Sequence, residues 1–320
     1  MSSVEVRAFR RSDREQLTQL VNTHAAAVVP GMGVSVSTVL SSLERQPGEF
    51  IEDPWVSERV TLVAEQARRI AAAAHLLRYF PDERAGKAAR DVGEIHWFLF
   101  WPEAPAGNPC WPDAAEAADA LMAACLRQLE RWGVTRQHAG GELPVRGVYG
   151  VPEQWPHVSA IYQRAGFAHT GHTEIIYLAS VGDLPRPAEV PIGGLSVHRS
   201  VGLNGTRLSA VLGGDVIGYI EVETFEEGER LPRHGGWADV GSLRVTEQRY
   251  RRRGVASWLL GQAADWLRLA GVDRLLDYAW LDGTDPDGQD YADYRAFLPA
   301  VGFQELTRTR RGWNRTPRNA

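Results

Sequence analysis

Arg251-Arg252-Arg253-Gly254-Val255-Ala256 stands between an alternating apolar run and a helical stripe, and its reading decides the fold. Upstream, Ala238, Val240, Leu243 and Val245 mark a strand. Downstream, Val255, Leu259, Leu260, Ala263, Leu267 and Ala270 recur at helical spacing, and Gly271 sits where a C-terminal cap belongs. On its own, a run of three arginines reads as a solvated basic turn. Between a strand and a buried helix it reads as a phosphate cradle. The first N–H groups of a helix have no partner within it, and the helix dipole places positive charge there. Arginines add bidentate donors, and Gly254 lets the backbone approach an anion because it has no Cβ. Neither a GxGxxG dinucleotide fingerprint nor a P-loop Gly-Lys-Ser/Thr is present in this stretch.

The chain has 320 residues, which suggests two domains. Hydrophobic content of 44% and charged content of 23% describe a soluble globular protein. The net charge of −5 offers no general attraction to nucleic acid or to an anionic membrane. No apolar run is long enough to span a bilayer, and the opening residues lack a secretory core segment. Cys110 and Cys125 cannot make a disulfide framework, and no metal-ligand spacing surrounds them. A cytoplasmic protein without a metal is the expectation.

Residues 181–194 hold three prolines and three glycines and read as a linker between a 1–180 domain and a 195–320 domain. In the first half, a strand at Val4–Phe9 precedes helical patterns from Ser12 to Ala27 and from Ser37 to Arg45. Strands Arg59–Ala64, Ile70–Tyr79 and Gly93–Trp101 follow, then a helix over Asp113–Trp132. A strand at Val145–Tyr149, a helix at Pro156–Ala165 and a strand at Glu174–Leu178 close this half. In the second half, Thr206–Leu212 and Val216–Thr224 flank Gly213-Gly214-Asp215, a strong hairpin signal. The strand, turn and helix of the opening stretch come next, then a strand at Arg274–Leu281 and a short helix at Tyr294–Ala300. Both halves run β-hairpin, β, α, β, α, β, so two copies of one α+β unit are expected. Each copy would be a mixed, mostly antiparallel sheet flanked by helices.

Arg251, Gly254 and Ala256 resemble the Arg/Gln-x-x-Gly-x-Gly/Ala motif of the GNAT superfamily of N-acetyltransferases. The element order is similar over nearly the whole chain, as a tandem pair. The resemblance implies an acetyl-CoA-dependent transfer of an acetyl group to a primary amine. Backbone groups of Leu243, Arg244 and Val245 would meet the pantetheine arm. Residues 252–257, namely Arg252, Arg253, Gly254, Val255, Ala256 and Ser257, would cradle the pyrophosphate with Arg251. The strand-to-arginine spacing is about one residue longer than the family pattern, with the extra residue in Thr246–Tyr250.

The two copies depart from the family in opposite ways. The first has Pro105-Ala106-Gly107-Asn108-Pro109-Cys110-Trp111-Pro112 where the arginine-glycine turn should lie, and prolines remove backbone donors. It does keep a family-like helix and Gly166-Phe167, with Tyr162 in place. The second keeps the turn but has Leu298 where the family has a tyrosine acid. The first copy is therefore expected to be degenerate and to shape the acceptor site of the second.

Acetyl transfer needs a base for the amine proton and donors for a tetrahedral oxyanion. The resemblance assigns the base to Asp239, on the strand before the turn. Glu221 and Glu223 share one face of the preceding strand and are alternatives. Tyr291 or Tyr294 could replace the missing tyrosine. Asp282, Asp285, Asp287, Asp290 and Asp293, with Glu226, Glu227 and Glu229, could form an acidic rim for a cationic amine or simply a solvated loop. His96, beside Trp97, reads as a core residue. The partner expected is a small amine, and a tandem fold favours a monomer because it can satisfy its own interdomain contacts. A catalytically silent acyl-CoA-binding or scaffold protein is the alternative reading, made credible by Leu298.

Overall fold

A computed structural model describes residues 3–44, 55–102, 114–186, 189–224, 236–281, 283 and 291–316. The chain divides into two compact units, Met1–Thr173 with Arg308–Ala320, and Glu174–Thr307.

The first unit opens with β1 (Glu5–Ala8), α1 (Arg14–Val28) and α2 (Val36–Glu44). Strands β2 (Val56–Gln66) and β3 (Arg69–Tyr79) form a long hairpin, α3 (Gly86–Ala89) is a single turn, and β4 (Val92–Phe100) completes an antiparallel set. Helix α4 (Ala115–Trp132) is a crossover to β5 (Arg136–Ala139), which runs parallel to β4. Its apolar face (Ala117, Leu121, Cys125, Leu129) is buried, and Gly133 ends it in the left-handed region at φ +65°. Then come β6 (Val151–Pro152), α5 (Pro156–Arg164) and β7 (Ala168–His169).

The second unit begins with β8 (Thr173–Ser180). Strands β9 (Leu195–Gly202), β10 (Gly205–Leu212) and β11 (Asp215–Thr224) form an antiparallel meander. Leu212 faces Asp215 across Gly213 and Gly214, whose φ values of +62° and +98° are those of a primed two-residue turn. Next are β12 (Gly236–Val245), α6 (Val255–Leu269), β13 (Val272–Trp280), α7 (Tyr291–Ala300) and β14 (Gln304–Arg310). The sheet order in this unit is β14-β8-β13-β12-β11-β10-β9. Its core joins Leu259, Leu260, Ala263, Ala264 and Leu267 of α6 to Ile220, Val222, Ala238 and Leu275 of the sheet, and to Leu298 and Phe303. Burying such side chains contributes roughly 1.5–3 kcal/mol each.

The last strand, β15 (Trp313–Arg315), belongs to the first unit, where the order is β1-β2-β3-β4-β5-β15-β7. Trp313 is fully buried there between β5 and β7. The structure thus divides the chain differently from the expected 1–180, 181–194 and 195–320. The strand expected to close the first half is β8, and it pairs with β13 over Arg274↔Ser180 to Trp280↔Glu174 in the second unit. The strand after α4 is β5, not Val145–Tyr149, which lies in a loop closed by a single Glu142↔Tyr149 bridge. Alternation alone cannot separate a short strand from an apolar loop whose valines are buried, as Val145 and Val148 are here.

Candidate functional site

In the second unit, the parallel strands β12 and β13 pair only from Gly236↔Val272 to Asp239↔Leu276. Beyond that point β12 continues to Val245 on the β11 ladder alone, so the edge of Val240–Val245 that faces away from β11 lies outside the β12–β13 ladder. The cause is partly local. Glu221 pairs with Ser242 and Val222 with Val240, which leaves Gly241 as a bulge residue that bends the strand. A Cβ at Gly241 would sit 2.5 Å from Cβ of Asn204, so only glycine fits.

Leu243 turns its side chain into the core and is 7% exposed, Val245 packs at the edge of that core, and Arg244 lies between them in sequence on the other face. Leu243 and Val245 therefore have their backbone, not their side chains, to offer a ligand. After β12 a 3-10 turn over Gln248–Tyr250 leads into Arg251–Gly254.

The turn then enters α6. Gly254 is its N-cap, in the left-handed region at φ +81°, and no side chain caps the helix. Serine, threonine, aspartate or asparagine would normally satisfy one first-turn N–H here. Here no side chain does so, and the first-turn N–H groups belong to Val255, Ala256 and Ser257. Arg251 is half-buried, and Arg252 and Arg253 are exposed at the same turn. Arg252 itself has φ +57°, and its guanidinium pairs with Asp293 at 2.9 Å, linking the turn to α7 across an exposed ion pair. These residues fit the anionic end of an acyl-CoA: uncapped donors, cations and a glycine where a Cβ would press on Pro191 at 3.3 Å.

The carboxylates of this unit have separate fates. Glu221 is 1% exposed, and Oε1 meets the Arg207 guanidinium at 2.5 Å. Its oxygens also accept the N–H groups of Leu203 at 3.3 Å and Asn204 at 3.1 Å. It holds the β9–β10 hairpin, which corrects its candidacy as a base: its lone pairs are already engaged by a cation and two amides. Glu223 is the register partner of Asp239 on the same face. Asp239 is 5% exposed and lies at the last β12–β13 pair.

One residue past that pair, on β13, Asp277 is 3% exposed. Its Oδ2 accepts the Tyr294 hydroxyl at 2.7 Å, and its Oδ1 accepts the Tyr278 N–H at 2.7 Å. Burial pushes the Asp277 carboxyl up to about 7, against the pull of these two hydrogen bonds, and the nearby charge of Asp239 adds to the rise. Tyr294 is raised well above its ordinary range by burial and by Asp277. Leu298, fully buried, lies one helical turn further along α7. Sequence reading missed Asp277 because an aspartate in an apolar strand carries no motif. Its one visible signal was the charge amid Leu275, Leu276, Tyr278 and Ala279.

Tyr291 stacks on Trp280 with ring centroids 5.6 Å apart, a packing role. Asp282, Asp285, Asp287, Asp290, Glu226, Glu227 and Glu229 lie outside the described residues, as does the Pro105–Pro112 segment of the first unit. In that first unit β4 and β5 also part after Ile95↔Ala139, but Tyr162 is fully buried and its hydroxyl donates to the Gly140 carbonyl at 2.7 Å. His75 stacks on Trp97, and His96 lies 3.5 Å from Glu94, whose other oxygen accepts the Tyr79 hydroxyl. Among the described residues no group of three or more His, Cys, Asp or Glu is arranged to hold a metal ion. No helix among them is long and apolar enough to cross a membrane.

Residues 188–292 match the model of the acetyltransferase (GNAT) family. No curated protein matches the chain. Among solved structures, it is similar to a tandem GNAT protein from the clavulanic acid biosynthesis pathway, at 16% identity and TM-score 0.63, covering 99% of this chain and all of that one. A GCN5-related N-acetyltransferase from Sphaerobacter thermophilus matches at 13% identity and TM-score 0.57, over 97% of this chain and 94% of the other. A GCN5-related glucosamine N-acetyltransferase region of a fungal multi-domain GH3 beta-N-acetylglucosaminidase matches at 14% identity and TM-score 0.59. That match covers 98% of this chain and 38% of the other. At these identities the likeness establishes the fold, two α+β units in tandem, and nothing finer.

Proposed function

We propose that this chain, a tandem-domain protein of the GNAT superfamily, transfers an acetyl group from acetyl-CoA to a primary amine of a small molecule. The observation that carries the reading is the parting of β12 from β13 beside an uncapped, arginine-bearing helix terminus. Open strand edge and free first-turn donors are what an amide-rich arm ending in a pyrophosphate requires.

Asp239 takes the amine proton as the amine attacks the thioester carbonyl, directly or through water. Backbone N–H groups near Leu243–Val245 receive the developing oxyanion. Tyr294 stands beside the leaving thiolate in place of the tyrosine replaced by Leu298. In the first unit the tyrosine is spent on Gly140, and that unit carries none of the transfer chemistry. Leu298 is also the observation that favours the second reading, a silent acyl-CoA-binding protein.

Calorimetric titration of the full chain with acetyl-CoA tests the proposal. One site per chain is expected, lost on Gly254→Val, and CoA release with a panel of primary amines then separates enzyme from silent binder. No binding at millimolar acetyl-CoA would overturn both readings.

A further inference from the structure

We infer that Asp277 is a positioning residue that reloads Tyr294 with the proton it gives to the departing thiolate. The inference rests on the acetyltransferase reading and assigns that site a proton relay running from β13 to α7.

The geometry is specific. Asp277 is the first β13 residue past the last β12–β13 pair. Both carboxyl oxygens are held, one by the Tyr294 hydroxyl and one by the Tyr278 amide, each at 2.7 Å. The carboxyl plane is therefore fixed relative to the tyrosine ring. Tyr294 is itself held by Phe297, whose ring stacks on it with centroids 6.2 Å apart.

The groups around the pair are Asp239 on β12, Tyr177 opposite on β8 and Arg244, whose charge acts on both Tyr294 and Tyr291. Among the described residues both hydrogen-bond donors to Asp277 are neutral. A buried carboxyl with neutral donors and a second carboxylate nearby retains a proton. Glu221 shows the opposite arrangement within the same unit, buried but paired with Arg207.

The amine nitrogen forms the C–N bond as the C–S bond breaks, and its proton leaves to Asp239. With Asp277 protonated on Oδ2, its O–H donates to the Tyr294 oxygen and frees the tyrosine hydrogen; the thiolate takes that hydrogen as a proton, and Tyr294 takes the proton of Asp277, which is left ionised. At the end of the cycle Asp239 releases its proton to water and Asp277 regains one from water. This gives the displaced tyrosine a usable acid at neutral pH, although its own hydroxyl binds its proton too tightly to part with it unaided.

The test uses the full-length wild type, Asp277→Asn, Tyr294→Phe and the double variant. Carboxyl carbon NMR of aspartate-labelled protein should show a resonance titrating near pH 7 that is absent in Asp277→Asn. In Tyr294→Phe it should move upward, because the carboxylate loses a donor. Against an accepted amine, Asp277→Asn should lower kcat about 10- to 100-fold and leave KM for acetyl-CoA in place. It should also abolish the limb of the kcat profile near pH 7, and the double variant should lose no more than the worse single one. A midpoint in the usual aspartate range, or one that Tyr294→Phe leaves where it was, overturns the relay. So does an Asp277→Asn defect confined to KM. Failure of the wild type to bind acetyl-CoA with the titration intact would instead overturn the acetyltransferase reading, and the relay with it.

Discussion

Replacing Asp277 by Asn should stabilise the protein in alkaline solution and lose that advantage in acid. The carboxyl titrates at about 7 in the folded chain, against the usual aspartate value of 3.8. The folded state therefore binds the proton more tightly than the unfolded one. The resulting stability is fully present below about pH 4 and disappears as the pH rises through 7. Each pH unit over which the folded chain holds one extra proton is worth about 1.4 kcal/mol. Roughly two such units lie between pH 5 and pH 8, so the wild type forfeits about 3 kcal/mol over that range through this group. Asn has nearly the same shape, keeps an acceptor for Tyr294 and carries no charge to bury. All other titrating groups are common to the two proteins and cancel in the difference. The gap in melting temperature, variant minus wild type, should therefore widen by about 10 °C from pH 5 to pH 8 for a unit of this size. Differential scanning calorimetry at both pH values in matched ionic strength measures it. A gap that stays constant, or that narrows with rising pH, would refute the premise that Asp277 keeps its proton when the protein folds.

Three further outcomes follow from the same structure. Arg251→Ala and Arg253→Ala should each weaken acetyl-CoA binding about 5- to 10-fold with little change in stability, as read by calorimetry, since they are cations at a solvent-facing helix terminus. Glu221→Ala should cost about 3 kcal/mol by urea unfolding, because it strands Arg207 and two hairpin amides; the reasoning fails if stability is unchanged. A fragment 195–320 should not fold by circular dichroism and amide NMR, because it lacks β8 with Ile175, Tyr177 and Ala179 of the core and carries a strand, β15, that belongs elsewhere. A fragment of residues 174–307 should show more native-like dispersion.

What could be read from the sequence was what local chemistry controls. The Arg251–Gly254 turn, the α6 stripe with its Gly271 stop and the Gly213-Gly214 hairpin rest on backbone geometry and period, which a few adjacent residues decide. Repetition of the element order was enough to reveal a tandem pair.

Other features lay beyond that reach, because strand partners are chosen by sheet closure rather than by neighbours in sequence. Nothing in Thr173–Ser180 says that it will lie against β13, and nothing in Trp313–Arg315 says that it will close the sheet of residues far upstream. Each unit is finished by a strand that the linear repeat assigns to the other. The chemistry of the carboxylates was hidden for the same reason. Glu221 and Asp277 both look like charges in apolar strands, yet one meets Arg207 and the other meets Tyr294. Only the tertiary structure brings a cation to the first and a phenol to the second. That difference in partner, not in residue type, makes Glu221 an anchor of the hairpin and leaves Asp277 holding its proton to higher pH.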